Sequence, residues 1–301
     1  MFDFSASEEI LKGGGTRRFF RVNYRSRDAI ACVYDDSKYE NFLYAGIAQF
    51  LAKIGVPAPK VFLHDREKKI LVMEDLGSVD LFQLQTAGTQ NWRAAYKLAL
   101  DSLAKLHQTP LDALAGTEIL QDGFNDAYYL WEQNYFLDNA VGPQNHIPAK
   151  SLLDELAQLR ADLLALPRQL VHRDCQSQNI MWHGGNAVFI DFQGMRAGTG
   201  FYDVASLLFD PYVEIVPADR EVFFEYYCAR MNYVPEAVKI IFYKAAAQRL
   251  MQALGAYYFL SEKMGKLRYL AFVQPALARL EYVSRNILPE LNRLVKTLKI
   301  C

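Results

Sequence analysis

The chain has 301 residues, 51% of them hydrophobic and 22% charged, a composition typical of a globular protein with a sizeable core. The 33 Lys and Arg residues nearly balance the 34 Asp and Glu residues, so we expect no overall electrostatic affinity for nucleic acid or for an anionic membrane. No apolar run reaches the ~20 residues that span a bilayer, and the N-terminal stretch lacks the pattern of a secretion signal. The four cysteines are scattered along the chain, so we expect a cytoplasmic protein with reduced thiols.

The N-terminal quarter of the chain has the pattern of a β-rich lobe. Its predicted elements are a short strand at 10–11, a glycine-rich loop at 12–16, strands at 17–24 and 29–34, a helix at 39–51, and strands at 60–63 and 69–74. Residues 75–77 have the composition of a hinge. We therefore predict a boundary between an N-terminal lobe, residues 1–75, and a C-terminal lobe, residues 76–301.

The C-terminal part of the chain is predicted to be mainly helical. Helical patterns occur near residues 91–108, 124–138, 151–165, 203–209, 219–230, 235–260 and 270–297. One β segment interrupts them, because residues 179–183 and 187–191 flank Gly184-Gly185 and predict a hairpin. The expected fold class is α+β, with a small antiparallel β-sheet lobe joined to a larger, mainly helical lobe.

Polar residues around this second hairpin suggest a metal site and a catalytic base. Depending on the hairpin register, Asp191 lies opposite either Asn179 or Gln178, with Cβ atoms ~5 Å apart. An amide oxygen and a carboxylate placed in this way can share Mg²⁺, which prefers oxygen ligands. Asp174, in the loop before the hairpin, could then reach a substrate hydroxyl beside a metal-bound phosphate. Phosphoryl transfer requires this arrangement, since the protein mainly positions the reactants and neutralises charge.

The motif His172-Arg173-Asp174-x4-Asn179, with Asp191 after a short hairpin, resembles the catalytic motif of the protein-kinase-like superfamily. Segments 103–110 and 200–205 are more similar to its aminoglycoside phosphotransferase and choline kinase-like branch. A protein kinase usually has a longer segment after the metal-binding Asp and an Ala-Pro-Glu motif, which this chain lacks. Segments 15–21, 191–193 and 248–255 resemble the bacterial anomeric kinases of N-acetylmuramate and N-acetylglucosamine, which act in cell-wall recycling.

This resemblance implies a bilobal kinase-like fold and an ATP- and Mg²⁺-dependent kinase of a small hydroxylated molecule. It assigns the catalytic base to Asp174 and the Mg²⁺ ligands to Asn179 and Asp191. It also implies that His172 and Asp203 support the catalytic loop, Asp203 through backbone N–H groups. The residues that it places at the nucleotide are Gly13, Gly14, Gly15 and Thr16 in a phosphate-covering loop, and Glu74 and Leu76 beside the adenine.

The third strand of the small lobe lacks the lysine that pairs with nucleotide phosphates in most kinases. Arg17, Arg18 or Arg21 could supply the positive charge, because guanidinium groups bind phosphate well. Strand alternation places Arg17 and Arg21 on one face and Arg18 on the other. The sequence alone does not decide between these arginines and ordinary surface arginines.

Substrate contacts are expected from two helices. Trp131 belongs to an aromatic-rich helix that could stack on a sugar ring or belong to the core. Arg249 could pair with the lactyl carboxylate of an anionic sugar or form a surface ion pair, and Gln248 is a further candidate. We expect an amino-sugar kinase that acts without a nucleic-acid or membrane partner; its oligomeric state stays open, and a monomer is plausible. The alternatives are a kinase of aminoglycosides, choline or another amino alcohol, and a nucleotide-binding pseudokinase, which the missing lysine suggests.

Overall fold

The computed structural model describes residues 8–10, 17–114, 120–144 and 147–298. Its N-terminal sheet is antiparallel, with the strand order β1-β2-β3-β5-β4. The strands are Glu8–Ile10 (β1), Arg18–Asn23 (β2), Asp28–Val33 (β3), Val61–Asp65 (β4) and Ile70–Glu74 (β5). The predicted glycine-rich loop, with Gly13, Gly14, Gly15 and Thr16, lies outside the described residues.

A helix between β3 and β4, Tyr44–Lys53 (α1), joins the sheet to the rest of the molecule. It ends where Gly55 adopts a φ of +73°, and the N–H of Val56 donates to the carbonyl of Leu51 at 2.9 Å. Such a left-handed residue closes a helix by satisfying its last carbonyls, and glycine adopts it without strain. The order of elements in the small lobe is the predicted one. We propose that the lobe boundary lies near residue 75, directly after β5.

The larger part of the described chain is helical. Its helices are Leu81–Thr86 (α2), Trp92–Gln108 (α3), Asp126–Phe136 (α4), Lys150–Leu164 (α5), Gly200–Leu208 (α6), Pro217–Met231 (α7), Pro235–Tyr258 (α8), Val273–Ser284 (α9) and Pro289–Val295 (α10). The single helical pattern predicted at 270–297 was wrong. It forms two helices because Pro289 lacks the N–H that a helix interior needs and starts a new helix instead. Among the described helices, none has the length and apolarity needed to cross a bilayer.

Two short strand pairs lie between α5 and α6. Ile180–His183 (β7) and Asn186–Phe189 (β8) form the predicted hairpin, whereas Gln169–Val171 (β6) and Arg196–Gly198 (β9) form an antiparallel pair that the sequence did not predict. In the hairpin His183 pairs with Asn186, which is the register expected to place Asp191 opposite Gln178 and not opposite Asn179. Asn179 therefore lies opposite Ile190, whose N–H donates to the Asn179 carbonyl at 2.9 Å.

Both parts of the molecule share one hydrophobic core. Ile47 and Leu51 of α1 belong to the same buried cluster as Leu103 of α3 and Phe192, which follows the second hairpin. The rings of Tyr44 and Phe192 approach to 4.4 Å between centroids. This packing holds the small lobe against the segment that carries Asp191.

Candidate active site

The loop after β6, which carries the predicted base Asp174, is held by a buried carboxylate. Asp203, in the first turn of α6, accepts hydrogen bonds from the backbone N–H groups of His172, at 2.6 Å, and Arg173, at 2.8 Å. His107 approaches the same carboxylate with Nε2 at 3.2 Å. These bonds fix Arg173 at a φ of +77°, which is uncommon for a residue with a side chain. The loop shape therefore depends on Asp203, the residue for which the sequence suggested such contacts.

His172 connects this loop to the second hairpin. Its Nε2 lies 3.0 Å from the carbonyl oxygen of Ile190, and its ring packs 5.6 Å from that of Phe189. The side chain is buried, with 2% of its surface exposed, so it contributes to the framework of the site and not to its surface.

The side chain of Asn179 is hydrogen-bonded to the backbone of Asp174 within the loop. The Asn179 amide Nδ2 donates to the backbone carbonyl of Asp174 at 2.9 Å. Ser177 between them is anchored by Asp210, which accepts from its N–H at 2.7 Å and from its hydroxyl at 2.6 Å. Burial raises the pKa of Asp210, although the bonds from Ser177 and from the Tyr212 N–H oppose the shift. The sequence interpretation missed Asp210, because no motif marks it.

The Asp174 carboxylate is partly exposed and is oriented by Arg249. Nη2 of Arg249 donates to Oδ1 of Asp174 at 2.8 Å, and the Asp174 side chain retains 39% exposure. Nε and Nη1 of Arg249 bind Ser206 and Gln252. Burial favours the neutral form of Arg249, but the charge of Asp174 together with those of Tyr202, Tyr257 and Glu132 outweighs it and raises the pKa of the guanidinium. Arg249, expected to contact substrate, thus contacts the proposed base instead.

The other two substrate candidates lie in different environments. Gln248 is fully buried, and its amide bonds to Gln133, Glu132 and the backbone carbonyl of Tyr129. The structure therefore does not bring Gln248 to a substrate-accessible surface, because every hydrogen-bonding atom of the amide is engaged inside the protein. Trp131 is 48% exposed on α4, and its ring stacks on that of Tyr135 at 5.4 Å.

Asp191 leaves the strand pairing and begins a tight turn. Its backbone is left-handed, with φ 60° and ψ 30°, so the expected continuation of the strand to residue 191 was wrong. Oδ1 accepts hydrogen bonds from Nη2 of Arg17 at 2.6 Å and from Nε2 of Gln193 at 2.7 Å. Burial alone would raise the pKa of Asp191, but the charge of Arg17 and these hydrogen bonds outweigh it. The net pKa of Asp191 is lowered, and the carboxylate is ionised at neutral pH.

Asn179 and Asp191 each keep one side-chain oxygen that the hydrogen bonds described above do not use, and such oxygens are suitable ligands for Mg²⁺. Asn179 uses its amide nitrogen on the loop, which leaves Oδ1, and Asp191 uses Oδ1, which leaves Oδ2. Within the described ranges, no group of three or more His, Cys, Asp or Glu side chains is arranged to hold a metal by itself. Mg²⁺ is suited to such a sparse site, because it usually binds one or two protein ligands and completes its shell with water and substrate phosphates.

The three arginines at the start of the sheet have different partners. Arg17 reaches Asp191, whereas Arg18 pairs with Glu9 at 2.8 Å and Arg21 with Asp75 at 3.0 Å. Arg17 is therefore the one among them that contacts the proposed metal ligand.

The surroundings of Arg17 belong to the small lobe. Burial lowers its pKa, but the charges of Asp191 and, more weakly, Glu40 raise it overall. The buried thiol of Cys32, on the strand without lysine, has its pKa raised by burial to about 12, and the charges of Arg17 and Asp191 both act on it. Arg17 thus contacts Asp191 and lies close enough to Cys32, on the strand where the lysine is missing, for its charge to act on that thiol.

The two residues expected beside the adenine lie at the end of β5 and directly after it. The Glu74 N–H donates to the carbonyl of Lys60 at 2.9 Å. Leu76 packs against Met181 and Val188, and its carbonyl accepts from His183 at 3.1 Å. These contacts place Leu76 between the small lobe and the β7–β8 hairpin.

Comparison with known proteins identifies the class of this chain. Residues 7–240 match the model of the phosphotransferase enzyme family (APH), and the chain belongs to this family. It is 27% identical over 270 residues to the N-acetylmuramate/N-acetylglucosamine kinase of Pseudomonas putida, an alignment that covers 85% of this chain and 77% of the relative. It is therefore a kinase that transfers a phosphoryl group from ATP to a hydroxyl group of a small molecule, as predicted.

Solved structures of the same architecture confirm the predicted fold class. A choline/ethanolamine kinase family protein from Mesorhizobium loti superposes with a TM-score of 0.64 at 16% identity, covering 96% of this chain and 92% of that one. A thermostable mutant of aminoglycoside phosphotransferase APH(4)-Ia, in ternary complex with AMP-PNP and hygromycin B, gives a TM-score of 0.61 at 18% identity, with 93% and 94% covered. At these identities the likeness establishes the fold alone.

Proposed function

We propose that this chain phosphorylates the anomeric hydroxyl of an N-acetylated amino sugar, N-acetylmuramate or N-acetylglucosamine, in cytoplasmic cell-wall recycling. The observation that carries the proposal is the position of Asp174, a partly exposed carboxylate that Arg249 orients and that shares its loop with Asn179. The similarity to kinases of these sugars along most of the chain supports the choice of substrate.

The proposed reaction uses Asp174 as a general base. Asp174 accepts the proton of the sugar hydroxyl as the hydroxyl oxygen attacks the γ-phosphorus of ATP; the bond to the bridging oxygen breaks and ADP leaves. An anomeric hydroxyl loses its proton more readily than an ordinary alcohol, because the ring oxygen withdraws electron density. The Asp174 carboxylate, which is ion-paired with Arg249, is suited to accept the proton of such a hydroxyl. Mg²⁺, which Asn179 and Asp191 would hold, supplies neutralisation of phosphate charge when bound.

Arg17 is proposed to bind the nucleotide phosphates in place of the missing lysine. Its guanidinium already lies against Asp191, and phosphate oxygens offer it the same bidentate geometry as a carboxylate. Arg21 is held by Asp75, so we assign it a weaker role at the nucleotide. The proposed site also includes residues 13–16, together with Glu74 and Leu76.

A cationic substrate such as choline or an aminoglycoside fits the surroundings of Asp174 less well. Arg249 lies directly on the base, and Arg173 precedes it in the loop. Positive charge next to the acceptor site repels an ammonium group but not a neutral or anionic sugar.

A substrate panel tests the proposal. The purified chain is given ATP and Mg²⁺ with N-acetylglucosamine, N-acetylmuramate, choline, ethanolamine or hygromycin B, and products are followed by phosphorus NMR and by loss of the reducing end. We expect turnover of the sugars with formation of a 1-phosphate. Turnover of choline or hygromycin B without the sugars would contradict the proposal, and nucleotide binding without any turnover would indicate a pseudokinase.

A further inference from the structure

Two arginines lie together next to the proposed base. Arg173 immediately precedes Asp174, and Arg196 begins β9. Both lie beside Gly194: Nε of Arg196 donates to its carbonyl at 3.0 Å, and Nη1 of Arg173 occupies the space next to its Cα, 3.1 Å from where a Cβ would be. Their guanidinium carbons lie 5.9 Å and 4.5 Å from the ring centroid of Tyr128. The side chains therefore converge from two segments on one point.

Within the part of the chain that the structure describes, no carboxylate lies within ion-pair distance of this pair of cations, and the charges of Asp174 and Glu132 act on Arg173, and that of Glu132 on Arg196, only from further away. No carboxylate forms an ion pair with Arg173 or Arg196, whereas Arg17 and Arg249 each have one. Arg196 is only 5% exposed, and its pKa is lowered by burial first and by the charge of Arg173 second. Two adjacent charges in a partly dry environment are costly unless an anion compensates them.

The free guanidinium nitrogens of Arg173 and Arg196 are not completely buried. Over the described ranges, the fully buried polar side-chain atoms without a partner belong to other residues, namely Tyr96, Asn139, His172 and Gln193. The nitrogens of Arg173 and Arg196 that make no hydrogen bond are thus at least partly accessible. Of the two guanidinium groups, only Nε of Arg196 is used in a hydrogen bond within the described residues, so an anion at the other nitrogens would displace no protein partner.

An aromatic surface continues from the same point along α4. The ring of Tyr128 lies 5.7 Å from that of Trp131, which stacks on Tyr135 at 5.4 Å with 11° between the planes. Aromatic faces of this kind accommodate the apolar face of a sugar ring. The site thus combines two unpaired cations, an aromatic wall and an adjacent carboxylate base.

We propose that Arg173 and Arg196 bind the carboxylate of an acidic amino sugar, the lactyl carboxylate of N-acetylmuramate, while Tyr128 and Trp131 contact the sugar ring. This inference rests on the proposed function and deepens it, because it assigns the recognition of the acidic substrate. Guanidinium pairs bind carboxylates in a bidentate manner, which suits two converging arginines. Arg249 is not available for this role, since its nitrogens are committed to Asp174, Ser206 and Gln252.

The test compares two sugars that differ in the lactyl group. For Arg196→Gln, kcat/KM is measured with N-acetylmuramate and with N-acetylglucosamine, and their ratio is compared with the ratio for the wild type. We expect the ratio to fall at least ~10-fold, which corresponds to ~1.4 kcal/mol. Arg196→Lys keeps the charge and should recover part of the ratio. Arg93→Gln, which removes a surface arginine paired with Asp219, should leave the ratio unchanged.

The other outcomes overturn the inference. An equal loss of kcat/KM with both sugars would show that Arg196 only supports the loop. If the KM for ATP rises and the KM for N-acetylmuramate does not, the arginines bind nucleotide phosphate. Failure of the proposed function looks different, because the wild type would then phosphorylate neither sugar. In that case calorimetry measures the binding of N-acetylmuramate and of N-acetylglucosamine to the wild type and to Arg196→Gln. Loss of N-acetylmuramate binding alone in Arg196→Gln supports the anion site, and any other result overturns it.

Discussion

Arg17 and Asp191 lie 174 residues apart in sequence, and the Arg17 Nη2 donates to the Asp191 Oδ1 at 2.6 Å. The contact joins the start of the small lobe to the turn that follows the second hairpin. Neither side chain is fully buried, with 22% and 32% of their surfaces exposed, so a ligand can reach the pair. A cation in contact with a proposed metal ligand is well placed to bind the phosphates of a metal–nucleotide complex. The lysine missing from β3 therefore has a candidate replacement from another position.

Removing the Arg17 guanidinium should weaken nucleotide binding. We expect Arg17→Met to raise the KM for ATP by about 10-fold or more and to lower kcat, since a charge-assisted contact to phosphate is lost. Arg17→Lys should recover part of the loss, because the charge remains but the planar fork does not. Steady-state kinetics and calorimetry with ATP and Mg²⁺ measure the effect.

The neighbouring arginine provides a matched control for that experiment. Arg18 is 62% exposed and pairs with Glu9, so Arg18→Met should change the KM for ATP by less than about two-fold, as exposed ion pairs contribute little. If both variants behave alike, Arg17 has no special role at the nucleotide.

Substitution of the proposed base should separate binding from chemistry. Asp174→Asn is expected to retain nucleotide binding and to lose at least ~10²-fold in kcat, as for a missing general base. Calorimetry with ATP and a coupled assay for ADP measure the two properties. Asp154→Asn, at an exposed carboxylate paired with Lys150, is the control and should keep full turnover. Wild-type kcat in Asp174→Asn would remove Asp174 from the mechanism.

Arg249 should act through the position of Asp174. In Arg249→Met the base loses its 2.8 Å contact, and we expect kcat to fall by ~10–100-fold with little change in the KM for sugar, because a misplaced base slows the chemical step. Arg249→Lys should restore part of kcat. A large rise in KM for sugar with unchanged kcat would instead indicate direct substrate binding.

The sequence was sufficient to predict the order of elements in the small lobe and the kinase class of the chain. Strand alternation and helical spacing located the small lobe, and the order of Asp174, Asn179 and Asp191 indicated the chemistry. The strands β6 and β9 were missed because three residues are too few to show a period. Their pairing becomes visible only when the chain segments meet.

Side-chain roles within helices were harder to predict. Helix α8 is buried along much of its length, so its sequence shows no single apolar face that would tell Gln248 from Arg249. Similarly, alternation placed Arg17 and Arg21 on one face of a strand, but their partners come from distant segments. Such tertiary contacts are not encoded in any local pattern.

The buried carboxyl of Glu132 should make stability depend on pH. Burial raises its pKa above 4.5, and the hydrogen bonds from Gln248 and Tyr202 only partly oppose the shift. The unfolded chain therefore releases this proton at lower pH than the folded chain, and ionisation destabilises the fold as the pH rises above about 4.5. Relative to Glu132→Gln, the wild type should lose unfolding free energy between pH 5 and pH 8. Urea unfolding of both proteins measures this, and a constant or growing wild-type advantage would contradict it.

Gly255 allows α8 to pack against the end of α4, and its replacement should test how tight that contact is. A Cβ at Gly255 would lie 2.7 Å from the carbonyl oxygen of Tyr135 and 2.9 Å from the nitrogen of Phe136, both backbone atoms that cannot rotate away. Helix propensity alone favours Gly255→Ala by ~1 kcal/mol. We expect the clash to outweigh this gain, so that the unfolding free energy falls by about 1–3 kcal/mol. Ala256→Gly, one position further along α8, should lose only the propensity. Urea unfolding compares the two variants, and stabilisation by Gly255→Ala would show that α4 and α8 can separate at little cost.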